Sequence, residues 1–224
     1  MAGSTSAPLP DRPLRRDAQR NRERIIEAAH EVFATRGFAA TLDDVAHHAG
    51  VGVGTVYRRF PSKEALMEAA FADRLQEVVA LAEEACTTPS AWDGLTMFLT
   101  RSAHMHAADR GLRDAVLSLG KHHFAQVEER LAGLVERLLE RAKAERTLRA
   151  DVEDTDIPII LAMVSEVAHS CAGTRPDAYE RYLRLIIDGL RAVPGTSTLG
   201  TPLTRGDVAS VIARCVPAIE SHRR

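Results

Sequence analysis

The sequence predicts an all-α protein with a short helical block followed by a larger one. Apolar residues recur at spacings of three and four through most of the chain, which is the helical period. No stretch shows the strict apolar-polar alternation of a half-buried strand. With 224 residues, of which 45% are hydrophobic, the chain can bury a sizeable core as one domain or two.

The first block contains three helices. The first is predicted over residues 17–36 and stops at Gly37. The second starts at a cap formed by Thr41 and Asp44 and ends near Gly50. A third, short helix is expected to turn its apolar side chains inward, and these are Val53, Val56 and Phe60.

A long fourth helix, capped by Ser62 and ending near Thr87, leads into the second block. The strongest helical periodicity of that block covers residues 121–147, and two further helices are predicted over 155–172 and 176–193. The domain organisation predicted from these patterns is a disordered basic arm (1–16), a helix-turn-helix unit (17–62), a larger helical domain (88–193) and an extra helix (204–222).

Charge and cysteine content restrict the function classes. The net charge of −2 excludes a generally basic protein, so any nucleic-acid footprint has to be local, and six arginines between Arg12 and Arg24 supply one. The three cysteines are far apart and predict neither disulfides nor a zinc site. Without a signal-like or membrane-spanning apolar run, we expect a cytoplasmic protein that does not enter a membrane.

The stretch GVGVGTVYRRF, residues 50–60, is rich in glycine but does not match a phosphate-binding loop. A Walker loop needs a lysine and a hydroxyl residue after its glycines, and a dinucleotide-binding loop needs a preceding strand. The alternative is a tight turn between two short helices, which is the helix-turn-helix arrangement. Its second helix would direct Gly54, Thr55 and Arg58 outward, with Tyr57 and Arg59 on the flanks.

Those outward residues suit a DNA groove, although an ordinary solvated face explains Thr55 and Arg58 equally well. Arginine can bond guanine, and threonine can meet a base or a phosphate. Lys63 favours the first interpretation. A cation in the first turn of a helix is unfavourable unless an anion such as a phosphate lies nearby.

Residues 19–78 closely resemble the DNA-binding domain of the tetracycline-repressor (TetR) family. The matching motifs are F-x-x-x-G-F, T-x-x-x-[IV]-A-x-x-A-G-V, G-T-[LV]-Y-x-x-F and P-[ST]-K-E-x-L, in that order. The resemblance implies a homodimer that binds an operator through its N-terminal helices and a small-molecule effector through its larger domain. It implies no cofactor, no metal and no catalytic residues.

Carried over position by position, the resemblance assigns DNA contacts to eleven residues. Phosphate contacts fall on Thr41, Tyr57 and Lys63, and base or phosphate contacts on Thr55, Arg58 and Arg59. Gly54 would allow close approach to the duplex, and Arg15, Arg16 and Arg20 would add contacts from the arm. Gly52 departs from the pattern, because many relatives have a serine there; it remains an acceptable helix cap but supplies no hydroxyl.

The second block shows no catalytic constellation, and its histidine pairs are weak metal candidates without accompanying carboxylates. Asp109, Arg110 and Asp114 are interpreted as helix-end charges. The candidate effector-pocket residues are Trp92, Met97, Phe98, His104, Met105, His123, Phe124, Met163 and His169. Simple core packing is the competing interpretation for each of them.

The resemblance assigns the dimer interface to residues 155–193. The helix beyond it could pack on its own subunit, swap to the partner or stay mobile. The rival functions are a non-specific architectural DNA binder and, less favoured, an enzyme built on a helical bundle.

Overall fold

The computed structural model describes residues 12–117 and 125–215, and within these ranges the chain is helical without a β-strand. The ten helices found there are α1 (Arg12–Arg36), α2 (Leu42–Ala49), α3 (Val53–Arg59), α4 (Lys63–Thr87), α5 (Ala91–Ala108), α6 (Arg110–Leu117), α7 (Ala125–Ala144), α8 (Asp156–Cys171), α9 (Ala178–Gly189) and α10 (Arg205–Cys215). A single 3-10 turn, Gly37–Ala39, joins α1 to α2. None of the described helices is long and apolar enough to cross a bilayer.

The first helix starts earlier than the sequence predicts. It begins at Arg12, so residues 12–16 of the expected disordered arm are helical. Pro13 is compatible with this start, because its missing N–H would have no helical partner in the first turn. The following residues are mostly good helix formers. Residues 1–11, the rest of the predicted arm, lie outside the described residues.

The first three helices enclose a core with the N-terminal half of α4. Ile25, Ala29 and Phe33 of α1 are fully buried there, together with Val45 and Val56. Ile26 of the same helix is only partly buried and packs against this core.

Helix α4 connects two cores. Its predicted cap is confirmed, since Ser62 Oγ accepts a hydrogen bond from the Ala65 amide at 3.2 Å. Phe71 and Leu75 lie in the core shared with the first three helices, whereas Val79 and Ala82 lie in the core of the second block. One continuous helix therefore ties the first block to the second.

In the second block α5 and α7 pack on the C-terminal half of α4, and α8 and α9 pack on each other and on α5. Two helices end earlier than predicted. Helix α7 ends at Ala144, and Arg146 then adopts a positive φ of 57°. Helix α9 ends at Gly189, because the chain beyond it pairs with residues after α7, where the Arg149 amide donates to the Leu190 carbonyl at 3.1 Å.

The C-terminal segment packs on its own subunit. Arg149 donates to the Ser197 carbonyl, and the Leu199 amide donates to Asp151 Oδ2 at 2.9 Å. Helix α10 then places Val208 and Ile212 in the core beside α8. Of the three alternatives for this helix, packing on the same chain is therefore observed up to Cys215, and residues 216–222 lie outside the described part.

Helix α6 meets α1 with almost no side-chain layer between them. A Cβ atom added at Gly111 would lie 2.4 Å from Phe71 Cζ and 2.8 Å from the backbone carbon of Phe33. Only glycine fits at this distance, since backbone atoms of α1 cannot rotate away as a side chain would. The contact fixes α6 directly against the DNA-binding block.

We expect Gly111→Ala to lower the free energy of unfolding by about 1–3 kcal/mol, because the added methyl group overlaps the α1 backbone. Gly133 is the matched control. It lies inside α7 with no atom within 4 Å of an added Cβ, so Gly133→Ala should stabilise by up to about 1 kcal/mol. Urea denaturation followed by circular dichroism measures both. A Gly111→Ala protein as stable as the wild type would contradict the close contact.

Candidate nucleic-acid interface

The turn between α2 and α3 has the geometry that its sequence predicts. Gly50 takes a left-handed conformation with φ 63° and ψ 36°, and its amide closes α2 on the Ala46 and His47 carbonyls. The Val51 amide also bonds the Ala46 carbonyl, at 3.0 Å. A glycine at this position ends α2 at low conformational cost and redirects the chain into α3.

One inward residue of α3 was predicted wrongly. Val56 and Phe60 are buried as expected, but Val53 is 41% exposed. Val51, just before the helix, packs against the core in its place. Val53 is the first residue of α3, and a seven-residue helix has room for little more than one buried turn.

The outer face of α3 presents the residues predicted to contact DNA. Gly54 is exposed, with no atom within 4 Å of where a Cβ would be, and Tyr57 is 49% exposed. Arg58 is exposed and donates from Nη2 to Thr55 Oγ1 at 3.3 Å. Arg59 is also exposed. The structure therefore brings these five residues together on one outward surface, with Gly52 as a cap that makes no side-chain hydrogen bond.

The hydroxyl of Thr41 is fully engaged within the domain. It accepts from the Asp44 amide at 3.1 Å and donates to Asp44 Oδ2 at 2.7 Å, while the Thr41 amide donates to the same carboxylate oxygen at 2.8 Å. These bonds, with a smaller contribution from Arg36, lower the pKa of Asp44 to about 2. Because the hydroxyl hydrogen is already donated, the observed role of Thr41 is to cap α2.

The predicted phosphate contact Lys63 also has an internal partner. Its ammonium donates to the carbonyl oxygen of Phe38 at 2.5 Å and lies 6.0 Å from the centre of the Phe33 ring. Partial burial lowers the pKa of Lys63. This bond uses one of the three ammonium hydrogens, so two remain with which Lys63 can bind a phosphate.

Asp114 was interpreted as a helix-end charge, and that interpretation is wrong. It lies within α6, is fully buried, and accepts the amide hydrogen of Phe38 at 2.8 Å through Oδ2. Burial raises the pKa of Asp114, opposed by the Phe38 amide and Arg113. The backbone of Phe38 is therefore held on both sides. Its N–H donates to Asp114 of α6, and its C=O accepts from Lys63 of α4. Nothing in the spacing of two residues 76 positions apart indicates this contact.

Arginines of α1 position the short helices. Arg24 Nη2 donates to the Ala49 carbonyl at the end of α2, at 2.7 Å. The Arg22 guanidinium lies 5.5 Å from the centre of the Phe60 ring. Of the predicted arm contacts, Arg20 is exposed and pairs with Asp17, and the side chains of Arg15 and Arg16 lie outside the described residues.

A groove lined by residues of α1, α4, α5, α6 and α9 has a volume of about 960 Å³. Of the nine predicted pocket residues, His104 and Met105 line it. His104 Nδ1 lies 3.2 Å from the Tyr179 hydroxyl. The groove also reaches His30 of α1, so it extends from the DNA-binding block to α9.

The other predicted pocket residues lie elsewhere. Trp92 and Phe98 are buried in the core, and Met97 packs against it, so the competing core interpretation holds for these three. Met163 is 51% exposed on α8, and His169 bonds the Ser165 carbonyl at 2.7 Å. His123 and Phe124 lie outside the described residues. Helical spacing shows which residues share an apolar face, but it does not distinguish residues of the core from residues that line a pocket.

Two family models cover most of the chain. The model described as "Bacterial regulatory proteins, tetR family" matches residues 25–70. The model described as "Transcriptional regulator SbtR-like, C-terminal domain" matches residues 90–192. The first match ends within α4, and the second begins at residue 90, just before α5.

The chain is also similar to solved and curated transcriptional regulators. TetR transcriptional regulator SCO0520 from Streptomyces coelicolor is 30% identical, with 77% of this chain and 99% of that chain covered and a TM-score of 0.50. A TetR transcription regulatory protein from Mycobacterium vanbaalenii is 35% identical, with coverage of 80% and 99% and a TM-score of 0.48. The HTH-type transcriptional regulator SrpR from Pseudomonas putida is 27% identical over 67% of this chain and 70% of its own length.

We expect Thr41→Val to lower the free energy of unfolding by about 1 kcal/mol at neutral pH, because the α2 cap loses its hydroxyl. The folded-state pKa of Asp44 is about 2, against a reference value of 3.8. Its stabilising contribution is therefore complete above pH 3.8 and is lost as the pH falls toward 2. The difference between variant and wild type in urea denaturation should shrink over that interval.

Thr35→Val is the control for this measurement. Thr35 is exposed on α1 and its hydroxyl bonds only carbonyls of its own helix, so the change should stay within about 0.5 kcal/mol. Equal unfolding curves for Thr41→Val and wild type at pH 7 would show that the cap does not stabilise α2.

Proposed function

The chain belongs to the tetR family of bacterial regulatory proteins, and from this membership we propose that it is a ligand-responsive repressor that binds a palindromic operator as a homodimer. It is a DNA-binding transcriptional regulator and not an enzyme. The observation that carries the finer proposal is the exposed surface of α3. Its outward residues are Gly54, Thr55, Tyr57, Arg58 and Arg59, and they sit on a helix held by buried contacts.

In this proposal α3 enters the major groove, and Gly54 lets its backbone approach the base edges. Arg58 bonds a guanine, and Thr55 meets a base or a phosphate beside it. Tyr57 and Arg59 bind the flanking phosphates, and Arg20, with Arg15 and Arg16, extends the contact along the duplex. Lys63 binds a further phosphate with the ammonium hydrogens that its bond to the Phe38 carbonyl leaves. Thr41 holds the start of α2 through its bonds to Asp44.

Homodimerisation is proposed through residues 155–193. Three large apolar side chains are exposed there on α8 and α9, namely Met163, Tyr182 and Leu185. Such residues on neighbouring helices favour burial against a second copy, and a two-fold axis would place two α3 helices on successive major grooves. The effector then acts by binding more tightly to the dimer whose α3 helices no longer match that spacing.

We expect Arg58→Ala to weaken binding to a palindromic site from the upstream region by at least tenfold, corresponding to the loss of one bidentate base contact of about 1–3 kcal/mol. Arg137→Ala, an exposed arginine of α7 outside the proposed dimer interface, is the charge-matched control and should bind as the wild type does. Fluorescence anisotropy at fixed salt measures both variants on palindromic and random DNA. Wild-type affinity for Arg58→Ala, or equal affinity for the two DNAs, would contradict specific operator recognition.

The variant Leu185→Glu tests the dimer. Because Leu185 is 58% exposed in the monomer, the charge should leave the fold intact but prevent burial against a second copy. Sedimentation equilibrium should show a dimer for the wild type and a monomer for the variant at micromolar concentration. Gln76→Glu, at an exposed position of α4 outside the proposed interface, is the control for one added negative charge and should stay a dimer. A monomeric wild type would rule out this interface.

A further inference from the structure

The first turn of α3 presents one apolar side chain to solvent. Val53 is 41% exposed, and Val51 packs against the core in its place. The residues on either side of Val53 are glycines. Among the described residues, an added Cβ at Gly54 would have no atom within 4 Å, and one at Gly52 would meet Thr55 Oγ1 at 3.9 Å. The start of the helix therefore offers open backbone and a single isopropyl group.

The position of Val53 makes it part of the exposed surface of α3. It precedes Tyr57, which is 49% exposed, by one helical turn, so the two side chains share one strip of the helix. Arg58 and Arg59 are exposed beside that strip. In a helix-turn-helix unit, residues at the start of the second helix contact base edges in the major groove. An exposed valine is a weak helix former that gains little burial in the free protein, so contact with DNA explains it better than stability does.

The chemistry of the major groove restricts which base an isopropyl group can recognise. Guanine, cytosine and adenine present hydrogen-bonding atoms there, whereas thymine adds a 5-methyl group to its O4 acceptor. Valine has no side-chain donor or acceptor, so covering a polar base edge with it removes water without replacing the lost hydrogen bonds. Against a methyl group it buries apolar surface on both partners. At the base edge that Val53 meets, thymine is therefore favoured over the other three bases.

The spacing along α3 relates this thymine to the guanine assigned to Arg58. Arg58 donates from Nη2 to Thr55 Oγ1 at 3.3 Å, which holds its guanidinium against the helix. The step from Val53 to Arg58 is five residues, a rise of about 7.5 Å along a helix. Successive base pairs of B-DNA are about 3.4 Å apart. When α3 lies along the major groove, the two contacts therefore fall about two base pairs apart.

We propose that Val53 is a specificity-determining residue, which packs against the 5-methyl group of one thymine in each operator half-site, about two base pairs from the guanine that Arg58 bonds. This assignment rests on the proposed function, in which α3 enters the major groove of a palindromic operator. It adds a sequence requirement to that function, because both half-sites need a thymine at the same position. It also adds an apolar contact to a surface whose other contacts are polar.

The test compares thymine with deoxyuridine, whose base differs from thymine by the 5-methyl group alone. Each thymine of the upstream palindromic operator is replaced in turn, in both half-sites, and binding of the full chain is followed by fluorescence anisotropy at fixed salt. At one position the replacement should weaken binding roughly tenfold, because two methyl contacts are lost. Val53→Ala should weaken binding to the unmodified operator by a similar factor and should bind the thymine and deoxyuridine operators equally.

Val211→Ala is the matched control for this substitution. Val211 is a valine of the same exposure, 41%, but it lies on α10, outside both the surface of α3 and residues 155–193. Its variant should keep the full preference for thymine. Val53→Ala should also keep the wild-type dependence of affinity on salt concentration, since it removes no phosphate contact. The deoxyuridine scan itself uses the wild-type protein, so its result does not depend on the folding of a variant.

Three results would overturn the role of Val53. The first is a wild-type protein that binds every deoxyuridine-substituted operator as tightly as the unmodified one. The second is a methyl preference that Val53→Ala retains in full, which would assign the methyl contact to another residue. The third is a preference that Val211→Ala loses as completely as Val53→Ala does. Equal affinity of the wild type for palindromic and random DNA would instead refute the proposed function, whatever the deoxyuridine scan shows.

Discussion

The position of the helix-turn-helix unit depends on how the backbone at Phe38 is held. Its amide donates to the buried carboxylate of Asp114 on α6, and its carbonyl accepts from Lys63 at the start of α4. Both partners lie outside the three DNA-binding helices and both are desolvated, which raises the pKa of the acid and lowers that of the base. A buried amide or carbonyl without a partner would lower the free energy of unfolding. By pairing both groups, α6 and α4 fix the segment that leads from α1 into α2.

This arrangement separates residues that shape the unit from residues that face outward. The hydroxyl of Thr41 and the guanidinium of Arg24 are bonded within the domain and hold α2 in place. The outward face is left to Tyr57, Arg58 and their neighbours. Because the whole chain carries a net charge of −2, attraction to phosphates has to come from local basic residues, on this surface and among the arginines at the start of α1. Its contribution is then sensitive to salt.

Local sequence signals predicted most of the fold, and long-range contacts account for what they missed. Caps such as Ser62 and the turn at Gly50 act within four residues, so their spacing is sufficient to predict them. Burial of Asp114 depends on a partner 76 residues away, which no periodicity reports. The outward surface of α3 was predictable from one helical turn. Burial of the polar side chains of Ser102, His106 and Ser165 was not, because helical spacing places a residue on an inward face without reporting whether its polar atoms find partners.

The contact at Gly111 gives α6 a mechanical property that most helix pairs lack. Ordinary helices are separated by side chains whose rotamers can absorb a displacement of a few tenths of an ångström. Between α6 and α1 that compliant layer is absent, since backbone faces backbone beside Phe33. A small translation of α6 at this contact would therefore displace α1 directly. How closely the two blocks move together then depends on the rigidity of the contact more than on the free energy that it contributes.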